Sequence, residues 1–292
     1  MAQFDPQKDL PDLTGYPVAL SLLRKGAKVY LAARNESKAV ATIERLERDG
    51  LGPGNGKPIW HKLVLDNPKD AKQSAESFLK IEDRLDILVN NAALLPKDYE
   101  LGPIGVQDIV TVNHISPFIF SSTLLPLLKK TTLLPDSDVR VVNVASDAHT
   151  FITDSDETLR PVETYERTLD LRTLKEAEGI YRGWRITNNY FESTSRSCCI
   201  GRGLQECREI DVSTQLLGEI FDDSIVPYPE DAAGTVLIAA ASPVVRSERE
   251  TYEAGYLMLI GKIGKISKTA SDEDLQRDLW SLTEQILSTE GI

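Results

Sequence analysis

The strongest constraint on this chain is a repeated alternation of two kinds of segment. Short runs rich in β-branched and apolar residues are followed, over and over, by longer amphipathic stretches. Residues 27–33 read as a strand, and 36–49 as a helix with Ala39, Ile43 and Leu46 on one face. A glycine-rich loop over 50–56 leads to a strand over 59–65 and a helix over 68–79. A third strand over 85–90 precedes a long apolar helix over 105–130, and a fourth strand follows over 139–144. Residues 173–207 form a long helical candidate. A helix over 230–241, a last strand over 256–260 and a closing helix over 272–287 complete the pattern. Such alternation predicts one α/β domain: a doubly wound, mostly parallel sheet with helices on both faces, spanning 1–292. Residues 1–17 read as a polar leader, and 147–172 and 221–229 as loops on the substrate side.

Charge and composition exclude several functions. The chain has 33 basic and 45 acidic residues, a net charge of −12, so nucleic acid is not an expected partner. No apolar run approaches the ~20 residues of a membrane span. The acidic start does not resemble a secretory leader, so a cytoplasmic location is expected. Cys198, Cys199 and Cys207 sit in one segment and read as small core residues rather than a disulfide framework. His61, His114 and His149 show no ligand spacing, and no metal is expected. The glycines of 50–56 do not fit a phosphate loop and precede a strand instead of following one. They read as a surface turn, as does 261–265.

Open parallel sheets bind ligands beyond the carboxyl ends of their strands. Arg34-Asn35, Asp66-Asn67, Asn90-Asn91 and Ser146-Asp147 follow the first four strands. Each pair alone fits a cap or turn. Four at one rim point to a shared ligand crevice.

These residues carry a resemblance. Leu88-Val89-Asn90-Asn91-Ala92-Ala93, Val112-Asn113-His114 and Val141-Val142-Asn143-Val144-Ala145-Ser146 resemble the short-chain dehydrogenases/reductases. Phe4-Asp5-Pro6-Gln7-Lys8-Asp9-Leu10 and Ala32-Ala33-Arg34-Asn35 are similar to the fungal, retinol-dehydrogenase-like branch. The resemblance implies a Rossmann-type sheet, a nicotinamide cofactor, and hydride transfer between it and a carbonyl or alcohol on a small to medium apolar metabolite. It also implies a homodimer or homotetramer. Asn90 would line the adenosine side and support the sheet centre, and Asp66 would contact adenine. Arg34 stands where an acid would favour NAD, and a cation there suits the 2′-phosphate of NADP. Ser146 would bind the substrate oxygen, and Asn113 would support a proton relay.

The family's Tyr-x-x-x-Lys finds its spacing in Tyr181 and Arg185, one helical turn apart. A neighbouring cation lowers the tyrosine pKa toward neutrality, as proton exchange requires. Arg185 supplies that charge and a ribose contact, but it is larger than Lys and never gives up its proton.

Two departures stand out. The family opens with a strand and a Thr-Gly-x-x-x-Gly-x-Gly turn that carries the pyrophosphate. Here Leu13-Thr14-Gly15 runs straight into Tyr16-Pro17-Val18-Ala19-Leu20, which resembles the back of the first helix. The missing strand belongs at the middle of the sheet. Its loss leaves ladder groups open on both neighbours unless they pair directly or something else fills the gap. A second core strand ending in Pro-Gly is also expected to be missing, because 204–214 is polar and lacks that dipeptide. The losses keep another reading open: a degenerate relative that binds a metabolite or protein without redox chemistry, or the product of an aberrant gene model.

Overall fold

The computed structural model describes residues 16–48, 51, 54–94, 101–145, 211–215, 229–258, 261–266 and 270–292. Ser146, Tyr181, Arg185, the three cysteines, the 173–207 segment and the 147–172 loop lie outside them. The order is α1 (Tyr16–Arg24), β1 (Val29–Ala33), α2 (Glu36–Arg48), β2 (Pro58–Lys62), α3 (Pro68–Leu79) and β3 (Ile87–Asn90). Then come α4 (Asp108–Val110), a π-helical turn (Thr111–Ile115), α5 (Ser116–Thr132), β4 (Arg140–Ala145) and β5 (Asp211–Gln215). The chain closes with α6 (Pro229–Ala241), α7 (Pro243–Ser247), α8 (Arg249–Tyr252), β6 (Tyr256–Met258), β7 (Lys262–Ile263) and α9 (Glu273–Thr289). α1 begins inside the expected polar leader.

The strands form two sheets. β1 and β2 pair in parallel, residue 29 against 58. The other sheet runs β3-β4-β5-β6-β7, parallel except for the antiparallel β6–β7 hairpin. β1 and β3 do not pair with each other. The expected break at the sheet centre is therefore present among the described strands. The second expected loss is not. Residues 211–215 form a strand between β4 and β6, with Val212 beside Val142 and Ser213 beside Tyr256. A strand flanked on both sides is held by its ladder as well as by apolar side chains. The β-branched Val212 and Thr214 also suit extended backbone. Polarity was thus a poor guide at 204–214.

Helices hold the two sheets side by side. α1 is amphipathic on two flanks. Val18 packs with Val142, Val236, Ala239 and Val245, with Ile87 and Val89 against that cluster. Ala19 and Leu23 pack with Leu46, against Val29 and Leu31 of β1. On the opposite face Ala71, Ala75 and Phe78 of α3 join Phe120, Leu124 and Leu128 of α5, Leu88 and Val141. Tyr30 of β1 packs against the same cluster. Both sheets thus share an apolar layer above and below.

Local chemistry sets several ends. Asn67 caps α3, its Oδ1 accepting from the Lys69 N–H at 2.9 Å, with Pro68 next in line. The loop read as a plain surface turn contains one demanding position. A Cβ on Gly56 would lie 1.7 Å from the Ala27 carbonyl oxygen. Only glycine lets the loop reach the connection between α1 and β1, where the Gly56 N–H donates to Leu23 O of α1 at 2.7 Å. Arg140 is 1% exposed. Its guanidinium grips Asp138 at 2.6 and 3.1 Å and donates to the Ala239 and Ser242 carbonyls, both at 2.9 Å. The base of β4 is thereby tied to the end of α6.

Candidate functional site

The carboxyl ends of β1 to β3 share one rim. The Ser116 hydroxyl, at the start of α5, donates to Leu65 O just after β2 at 2.7 Å. Asn113, in the preceding π turn, reaches Leu94, just after β3. At the opposite end Leu85 N–H donates to Thr131 Oγ1 at 3.0 Å, joining the start of β3 to the end of α5.

On the β1–β2 side, Arg34 Nη1 lies 3.3 Å from Asp66 Oδ2, with side chains 67% and 50% exposed. This pair is open to solvent and free to engage a ligand. Its neighbours are spoken for: Asn35 Oδ1 accepts from the Lys38 N–H at 3.0 Å, and Asn67 caps α3. For those two asparagines the ordinary capping role suffices.

On the β3–β4 side the polar groups are enclosed. Asn90 Nδ2 donates to Ser121 Oγ at 3.0 Å and to Asn143 Oδ1 at 2.7 Å, joining β3, β4 and α5. Ser121 and Asn143 were not singled out from the sequence as partners. The available signal was a polar residue, Asn143, inside an otherwise apolar strand run.

Asn113 occupies the middle of the π turn, a wound backbone defect often found at functional positions. Its Oδ1 accepts from the Leu94 N–H at 2.7 Å, and its Nδ2 donates to Leu94 O at 3.0 Å. One side chain thus fixes both backbone groups of the residue that follows the Asn-Asn-Ala-Ala turn. His114, its neighbour, is buried against Phe118. Thr283 Oγ1 donates to Leu279 O at 2.8 Å, so His114 Nε2, 2.8 Å from that oxygen, is the donor. Burial pushes the His114 pKa down to about 4 and keeps the ring neutral.

Whether these residues fit a dinucleotide divides along the crevice. The exposed Arg34 guanidinium beside Asp66 suits an adenosine ribose phosphate and an adenine. No glycine turn, and no strand between β1 and β3, is present among the described residues to carry a pyrophosphate. The adenosine half fits, and the diphosphate cradle is not among these elements. Groups that could hold a metal are also absent among the described residues. No described helix is long and apolar enough to cross a membrane.

Parallel strands under two helical layers, with a polar rim at their carboxyl ends, define a Rossmann-type α/β protein. A family model described as short chain dehydrogenase matches residues 14–152. A short-chain dehydrogenase/reductase of Armillaria gallica is 32% identical over 286 residues, covering 94% of this chain and 89% of its own. The chain belongs to the short-chain dehydrogenase/reductase family. Retinol dehydrogenase 12 of Bos taurus is 33% identical over 135 residues, 46% of this chain and 40% of its own, in keeping with the retinol-dehydrogenase-like branch. A crystal structure of a metagenomic short-chain oxidoreductase in complex with NADP aligns with a TM-score of 0.54 at 18% identity. That alignment covers 79% of this chain and 87% of that one, a likeness of fold.

Proposed function

We propose that this chain is an NADP(H)-dependent oxidoreductase that interconverts a carbonyl and an alcohol on a small to medium apolar metabolite. The observation that carries the reading is the exposed Arg34–Asp66 pair at the rim. An arginine there offers a planar fork to a phosphate, and a nearby carboxylate offers an acceptor to an adenine amine.

When bound, the nicotinamide would supply or accept the hydride. The chain's own residues do the rest. Arg34 would hold the 2′-phosphate and Asp66 the adenine, with Asn90 bracing the sheet beneath them. Ser146 would hold the substrate oxygen by a hydrogen bond. Tyr181 would give that oxygen its proton in reduction and take it back in oxidation. Arg185 would lower the Tyr181 pKa by its charge and hold the ribose. Asn113 would act as a positioning residue, keeping the Leu94 backbone in place beside the site.

Calorimetry of the purified chain with NADPH and NADH tests the cofactor assignment. NADPH binding tighter than NADH, with the difference erased in Arg34→Ala, is expected. Absence of NADPH binding to a folded, monodisperse chain overturns the reading. Turnover of a carbonyl panel should vanish in Tyr181→Phe and rise in Arg185→Lys. A Tyr181→Phe variant as active as the parent removes Tyr181 from the mechanism.

The break between β1 and β3 favours a second reading, a family member that binds a metabolite or a protein without hydride transfer. It predicts a chain indifferent to Arg185→Lys.

A further inference from the structure

α1 packs against both β1 and β3, and the backbone shows which of their peptide groups face no described strand. Val29 N–H donates to Lys57 O at 2.9 Å, and Ala33 O accepts from Leu63 N–H at 3.2 Å. Residues 29, 31 and 33 therefore turn their peptide groups toward β2. By the two-residue period of a strand, those of Tyr30 and Ala32 point the other way. Across the break, Arg140 N–H donates to Asp86 O at 2.8 Å, so residues 86, 88 and 90 face β4. The groups of Ile87 and Val89 face β1. No described strand pairs with these four residues on that side.

Side-chain burial marks the same place. In β4, Arg140, Val141, Val142, Asn143 and Ala145 are all buried. In β1 no residue is buried and Ala32 is exposed, and in β3 only Leu88 is buried. These are inner strands of one layer by their packing, yet they are accessible as edge strands are. Apolar side chains bound the opening on both faces. Val18, Ala19, Leu22 and Leu23 of α1 lie over one face, and the cluster of Phe120 and Leu124 over the other.

We propose that the break is a binding site for one extended strand of a second polypeptide, built of consecutive apolar, β-branched residues. A strand placed about 4.8 Å from each neighbour satisfies peptide groups on both sides at once, which no compact ligand does. With an apolar layer on each face, the occupant must be apolar at every position and not only at alternate ones.

The test uses the full chain and a fluorescein-labelled peptide, acetyl-Lys-Val-Ile-Val-Ile-Lys-amide. Saturable binding at one peptide per chain is expected, with a rise in melting temperature. Amide exchange should slow most at Tyr30, Ala32, Ile87 and Val89, beyond the general slowing that the added stability gives β4. Methylating the three central peptide nitrogens keeps the side chains but removes donors, and should weaken binding more than about tenfold. Four results overturn the proposal. They are no binding, binding indifferent to N-methylation, exchange slowed more elsewhere than at the four amides, and a dimer of the chain that the peptide does not disperse.

Discussion

The two sheets of this molecule use similar sequences to different effect. β4 (RVVNVA) sits between two paired strands, and all but one of its side chains are buried. β1 (VYLAA) is as apolar, but among the described strands it has one paired edge, and none of its residues is fully buried. Apolar composition alone therefore does not make a core strand. A strand becomes core when both of its edges are paired and both of its faces are covered, and β1 lacks one edge. The difference also divides the candidate site. The β1–β2 side offers an exposed ion pair, whereas the β3–β4 side holds its amides in enclosed hydrogen bonds.

A matched pair of substitutions gives this comparison its hardest test. Val142→Asp places a carboxylate at a fully buried position in β4, and should cost more than about 4 kcal/mol and leave the chain largely unfolded. Leu31→Asp, at a half-buried position in β1, should cost less than half as much, because water reaches the group. Equal losses by urea denaturation would erase the distinction between the sheets.

The two buried histidines sharpen it through pH. His114 packs in the β3–β4 half, its pKa lowered to about 4 by burial. His61 belongs to β2 and is also lowered by burial, opposed by its bond to the Ser74 carbonyl. A histidine depressed in the folded state takes up protons more readily when unfolded. Stability should therefore be full above pH 6.5 and fall as pH drops from 6.5 toward 4. For His114 the loss reaches about 3 kcal/mol. Melting temperatures across that range should fall steeply in the parent chain. His114→Gln should remove most of the slope and His61→Gln less of it. The reverse ranking would mean that the two-stranded side is the better sealed.

The smallest effect is expected at the rim. Arg34→Ala breaks an exposed ion pair and should change stability by less than about 1 kcal/mol. Its consequence should appear in NADPH affinity, with NADH left nearly unchanged. A variant that loses stability but not the cofactor preference would place Arg34 in the fold rather than the site.

Much of this was legible from the chain alone. α3 starts at Pro68, where a capping asparagine followed by proline favours a helix start. The break between β1 and β3 among the described strands was readable because a helix-like segment begins directly after Leu13-Thr14-Gly15. Residues 211–215 were not readable, since their pairing depends on β4 and β6, both distant in sequence. The Asn90–Ser121–Asn143 contacts were equally hidden, because three elements must converge before one amide can join them.

The sequence by itself determined the α/β alternation, the start of α3 and the absence of a Thr-Gly-x-x-x-Gly-x-Gly turn. These follow from periodicity and local hydrogen bonding, which act over a few residues. Only the tertiary structure decided that β1 and β3 do not pair with each other, that residues 211–215 become a strand, and that Asn113 sits in a π turn clamped to Leu94. A ladder or a clamp requires a partner brought from far along the chain, and packing chooses that partner.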